Sequence, residues 1–125
     1  MRYNFTRYWS FLLIYTLLIF LISSFPGSAF DDIPCIPFID KIVHLGIYLG
    51  LGIVSLRSFT RGKRIIITYV LFSLLYCLAV GIIDELYQSF IPQRVPDFID
   101  LLADLMGAFT GCIFYLKYKK LKPKP

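Results

Sequence analysis

Charge is scarce in this chain: Asp, Glu, Lys and Arg together make up only 17% of its 125 residues. A soluble domain ordinarily carries about 25%, so the solvated globular class is disfavoured at the outset. Cysteine is nearly missing too. Cys35, Cys77 and Cys112 are odd in number and show no CxxC spacing, which leaves no disulfide framework and no cysteine metal knot. Cys77 and Cys112 read as small apolar fillers within helices. No Walker loop, GxSxG, HExxH or dinucleotide fingerprint occurs, so nucleotide-binding, serine-hydrolase and zincin chemistry have no support. There is no internal repeat and no pair of broken helices of the sort that marks a transporter.

What is abundant is apolar surface. Hydrophobic residues make up 58% and aromatics 18%, and the mean hydropathy is +0.71. That places the chain among membrane proteins, and its length suggests a single domain over 1–125. The net charge of +5 does not point to nucleic acid, because the basic residues flank apolar spans instead of forming a patch.

Arg2 and Arg7 precede an uncharged run over 8–25; eighteen helical residues reach roughly 27 Å, close to the hydrocarbon thickness. A cleaved signal peptide is the competing reading, since Gly27-Ser28-Ala29 supplies small residues at the right place, but the run is long for that role. Further apolar spans are expected over 40–59, 65–88 and 97–118. Pro92 and Pro96 mark the tight connection before the last of them. The expected fold is therefore all-α: a polytopic integral membrane protein, a compact bundle of four transmembrane helices. Placing both termini in the cytoplasm gathers eleven of the thirteen basic residues there, Lys41 and Arg94 excepted, and turns all eight acidic residues outward. Gly46 and Gly50 in the second span, and Ala103, Gly107 and Gly111 in the fourth, have the spacing that lets helices approach closely in lipid.

Five of the eight acidic residues fall within 84–111. Asp40 and His44 are four apart and share a helix face; so do Asp84 and Gln88; Asp97, Asp100 and Asp104 stack at spacings of three and four. Three helices thus carry ionisable groups at similar depth. A charge at the bilayer centre costs about 3 kcal/mol on insertion scales, so these groups need one another, water, an ion or a ligand. Plainer roles compete. Asp97 after Pro96 suits an N-cap, Asp40 suits a helix first turn, Lys41 suits snorkelling to headgroups, and His44 suits a satisfied buried imidazole. The adjacent acids Asp84 and Glu85 should repel, and one of them is expected to pair with Arg94 or His44.

These residues carry a resemblance. Asp40-Lys41-x-x-His44 followed by Tyr48, then Asp84-Glu85-x-x-Gln88-x-Phe90-x-Pro92-x-Arg94, then Asp97, Asp100, Ala103 and Gly107, resemble the VanZ-like family over residues 40–111. These are small bacterial integral membrane proteins named for a member associated with teicoplanin resistance. The chain departs from the pattern at Asp104, where asparagine is the more usual residue. The resemblance implies a multi-pass protein of the bacterial cytoplasmic membrane with an envelope role, without supplying a reaction.

Two functions are weighed. In the first, an outward-facing site acts on or binds a lipid-linked or anionic envelope molecule. Arg94 holds a phosphate or carboxylate, with Gln88, Asp104 and Asp40 as further binding residues. Glu85 or Asp84 is the acid or base, with His44 as its partner and Asp100 orienting it. His44, Asp100 and Asp104 also have the chemistry to hold a divalent cation. In the second, the protein is a non-catalytic scaffold or partner-binding protein in envelope assembly, whose polar cluster holds the helices together. A proton-linked transporter is third.

Overall fold

The computed structural model describes residues 3–30, 38–61, 63 and 65–121. Arg2, Asp31, Asp32, Cys35, Arg64, Lys122 and Lys124, which entered the sequence argument, lie outside them. Four long helices form the bundle: α1 (Tyr3–Ser23), α2 (Ile39–Thr60), α3 (Ile67–Gln88) and α4 (Phe98–Leu121). No strand occurs among the described residues. Each helix is long and apolar enough to cross a membrane.

The boundaries differ from the hydropathy spans by a few residues, for local reasons. α1 begins at Tyr3, before the uncharged run, and stops at Ser23. Pro26 cannot continue it, and a single 3-10 turn follows over Gly27–Phe30. α4 runs past the expected end at 118, to Leu121. Lys119 and Lys120 in its last turn are good helix formers and complement the negative end of the dipole.

The outside of the bundle is greasier than its centre. Leu13, Leu17 and Leu21 of α1, Ile67, Leu71, Leu75 and Leu86 of α3, and Met106 and Phe109 of α4 all face outward. The buried set includes Ser55, Ser58, Thr60, Ser73, Asp84, Glu85, Gln88, Asp100 and Asp104. In water that inversion would cost far more than it returns; in hydrocarbon it is the stable arrangement, because polar groups find partners only inside.

Small residues decide how closely α2 and α4 approach. A Cβ at Gly107 would stand 2.3 Å from the carbonyl oxygen of Leu45, and one at Gly111 2.1 Å from that of Leu49. From the other helix, a Cβ at Gly52 would meet the Ala108 carbonyl oxygen at 2.2 Å. The expected use of Gly107 and Gly111 holds. The Gly46/Gly50 pair does something else: Gly46 faces open space, and Gly50 makes room for the hydroxyl of Tyr15 on α1. That hydroxyl donates to the Ile47 carbonyl at 2.8 Å. α1 is thereby an integral part of the packing, with Leu12 and Ile19 buried and Thr16 hydrogen-bonded to Tyr76 of α3 at 2.8 Å.

A polar layer crosses the middle of the bundle, where Ser55 bonds to Ser73 and Cys77 and Cys112 lie buried as free thiols. Below it is a basic end. Arg57 caps the ring of Tyr8 at 5.5 Å, and Arg57, Lys119, Tyr115 and Tyr118 border a cavity of about 560 Å³. The opposite end holds the end of α1, the start of α2, the end of α3 and the start of α4. There the two connections are clipped together. Gly27 N–H donates to the Pro92 carbonyl at 3.2 Å, and Ser28 N–H donates to Gln93 Oε1 at 2.9 Å. Gln93 has a φ of 61°, and only glycine fits at 27, where a Cβ would lie 2.3 Å from the Gln93 carbonyl oxygen.

Candidate functional site

The clipped end is where the ionisable residues meet, and they sort into two groups. The first is built on Lys41. Its ammonium lies 2.7 Å from Asp40, 2.7 Å from Asp97 and 2.8 Å from Asp100. One cation on α2 therefore collects three carboxylates, two of them from the start of α4. Lys41 does not snorkel to headgroups as expected. The carboxylates of a neighbouring helix are a closer and less hydrated partner than lipid phosphate. Asp97 also caps α4, its Oδ1 accepting from Ile99 N–H at 2.9 Å. The same Lys41 contact and that backbone bond hold its carboxyl below the usual carboxylate range. Glu85 adds a second closure from α3, with Oε2 accepting the Asp97 N–H at 3.0 Å.

The second group is deeper. His44 Nδ1 stands 2.9 Å from Asp104 Oδ1. A carboxylate oxygen only accepts, so the contact assigns the proton to Nδ1 and leaves Nε2 as the open ring nitrogen. Asp84 accepts from Gln88 Nε2 at 3.2 Å through Oδ2, and the same amide donates to Ser23 Oγ at 3.3 Å. Gly81 opens the floor: its missing side chain leaves Asp104 Oδ2 and the Tyr48 ring within 4 Å of where a Cβ would sit. Four buried oxygens in this group have no hydrogen-bond partner, namely Asp84 Oδ1, Glu85 Oε1, Asp104 Oδ2 and the Tyr48 hydroxyl. Donor atoms of His44, Glu85 and Asp104 all lie within 4.8 Å of one another.

The expected residues are thus redistributed. His44, Asp84, Glu85, Gln88 and Asp104 converge from three helices. Asp100 leaves the His44 group for Lys41, so the expected set of His44, Asp100 and Asp104 is replaced by His44, Glu85 and Asp104. Asp40 stays at the surface beside Lys41. His44 pairs with Asp104, not with Asp84 or Glu85. Arg94 donates from Nε to the Phe25 carbonyl at 3.3 Å and stands close enough to Asp84 for the two charges to interact. Two residues at the site, Tyr48 and Ser23, were not assigned roles beforehand, and Lys41 was assigned a different one. Tyr48 was legible, being four residues beyond His44 on the same face. Lys41 was legible as a cation amid acids. Ser23 carries no signal in the sequence.

The arrangement has the parts of an acid–base site: an imidazole oriented by a carboxylate, and two further carboxyl groups with free oxygens, all sheltered from solvent. It lies at the clipped end of the bundle, where Arg94 stands near Asp84.

A family model described as VanZ/LLP1 matches residues 4–119. No curated protein and no solved structure matches the chain significantly.

Proposed function

Because the chain belongs to the VanZ/LLP1 family, we propose that its acidic site serves the cell envelope by binding, and acting on, a lipid-linked or otherwise anionic envelope molecule. In this reading the protein is a multi-pass protein of the bacterial cell membrane with both termini cytoplasmic, and the site opens near the outer leaflet. The orientation follows from the basic end around Arg57 and Lys119, which belongs on the Lys- and Arg-rich cytoplasmic side. Arg94 holds the phosphate or carboxylate of the ligand, and Gln88 lines the site. His44, oriented by Asp104, exchanges a proton with the ligand, with Asp84 or Glu85 as its acid–base counterpart. A part in resistance to teicoplanin follows if that ligand is a cell-wall precursor.

The observation that carries the reading is the set of four buried oxygens without partners, Asp84 Oδ1, Glu85 Oε1, Asp104 Oδ2 and Tyr48 Oη. Buried polar groups are ordinarily satisfied, and helices that needed only glue would have paired them. The test is native mass spectrometry of the full chain released from bacterial membranes. A retained lipid with a phosphate-bearing headgroup, lost in Arg94→Ala and kept in Ser24→Ala, whose hydroxyl only donates back to the Phe20 carbonyl and bonds to Tyr87, is the expected result. Recovery of the same lipids at the same occupancy by both variants would sink the reading.

A second reading, a scaffold without chemistry, draws on a different observation: Lys41, Asp97, Asp100 and one oxygen of Glu85 do tie α2, α3 and α4 together. It assigns those residues to packing and predicts that His44→Ala loses folded yield, whereas the catalytic reading predicts a stable, inactive protein.

A further inference from the structure

We infer that His44, Glu85 and Asp104 form a binding site for one divalent transition-metal cation, of the Mn²⁺ or Zn²⁺ type. The inference goes beyond the proposed envelope role; with the ion bound, His44 and Glu85 are its ligands and the acid–base role at the site rests with Asp84.

Three independent features converge on it. The first is the donor set. One imidazole nitrogen and two carboxylates from α2, α3 and α4 lie with their donor atoms within 4.8 Å of one another. Zn²⁺ and Mn²⁺ accept that mixture, whereas Mg²⁺ and Ca²⁺ favour oxygen alone. Metal–ligand bonds of about 2.0–2.2 Å require the donors to draw closer as the ion enters. The second is the division of labour within each carboxylate. Glu85 Oε2 is held by the Asp97 N–H and Asp104 Oδ1 by His44, while Glu85 Oε1 and Asp104 Oδ2 are buried and have no partner. In Glu85 one oxygen orients and the other is left to bind, the pattern that outer hydrogen bonds impose on metal-ligating side chains; in Asp104 the oxygen bonded to His44 is released when the ion takes Nδ1 and displaces its proton to solvent. Asp84 Oδ1 and the Tyr48 hydroxyl of the same group are likewise buried without partners.

The third feature is charge. Lys41 is committed to Asp40, Asp97 and Asp100. The deeper group holds three carboxylates; Arg94 stands near Asp84, and His44 is set against the other two, Glu85 and Asp104. A neutral imidazole leaves two negative charges in a low-dielectric interior, where isolated ions are expensive. A dication cancels both. Helix glue alone accounts for Lys41 and its carboxylates, but it offers nothing for the oxygens left over here.

The test uses the full chain in detergent micelles, stripped with EDTA and titrated with Mn²⁺ under electron paramagnetic resonance. One Mn²⁺ per chain is expected, displaced by Zn²⁺, with nitrogen hyperfine coupling from the imidazole. His44→Ala should abolish that coupling. Glu85→Gln should weaken binding by more than the roughly 10–100-fold that loss of an outer partner costs, while Ser24→Ala binds as the parent does. Absence of saturable one-to-one binding, or bound Mn²⁺ without nitrogen coupling, overturns the inference. The hyperfine signal of the unmodified chain decides the matter even if Glu85→Gln fails to fold. Retention of lipid is read separately by mass spectrometry, so failure here leaves the envelope reading standing.

Discussion

Replacing Lys41 by methionine keeps most of the side chain's length and removes only its charge. The three carboxylates it serves are not equivalent: the Asp40 side chain is 56% exposed, that of Asp97 37% and that of Asp100 10%, while Lys41 itself is 19% exposed. At 2.8 Å and an effective dielectric of about 20, the gross attraction between Lys41 and Asp100 is about 6 kcal/mol. Desolvation offsets much of this, and removing one member of a buried pair typically costs about 3–5 kcal/mol, because the other charge is stranded. An exposed pair is worth about 1 kcal/mol or less. Lys41→Met should therefore destabilise by about 3–5 kcal/mol and Asp40→Asn by less than about 1 kcal/mol. Adding Asp100→Asn to Lys41→Met should recover a substantial part of the loss, since no buried charge is then left alone. Reversible unfolding in mixed detergent–SDS micelles gives the free energies for a double-mutant cycle. A Lys41→Met variant no less stable than Asp40→Asn would refute the reasoning, and Lys41 would then be an interfacial charge after all.

The same assay should separate two chemically identical substitutions. Gly107→Ala drives a methyl group onto the backbone of α2 and should cost about 1–3 kcal/mol, whereas Gly46→Ala meets nothing and should be neutral or stabilise by up to about 1 kcal/mol. Asp97 supplies a pH dependence. Its folded pKa is depressed, so its contribution is complete above the ordinary carboxylate range and is lost as pH falls below about 4; Asp97→Asn should flatten that part of a stability–pH curve. Cys77 and Cys112 are each 1% exposed, so in a Cys35→Ser background maleimide should label neither thiol until the bundle unfolds.

Depth along each helix was readable from the chain, and pairing was not. The spacing of Asp40, His44 and Tyr48, or of Asp97, Asp100 and Asp104, sets which side chains share a face. Hydropathy sets how far each stands from the end of its span. Whether His44 meets Asp104 or Glu85 depends on how α2 and α4 are rotated about their own axes, and no local pattern contains that angle. The glycines make the same point. Gly52 belongs to no small-residue repeat singled out in the sequence, yet it takes part in the close contact with α4, while Gly46 completes a GxxxG and touches nothing.

Local composition by itself determined four membrane-length helices, their order, and an acidic end set against a basic one, because these follow from burial preference and helical period alone. Tertiary structure decided that Lys41 gathers three carboxylates and that His44 turns to Asp104. It also decided that Glu85 spends one oxygen on the start of α4 and keeps the other free. Those outcomes rest on the close approach of α2 and α4, which backbone-to-backbone contact at Gly52, Gly107 and Gly111 sets and which has no counterpart in any single stretch of the chain.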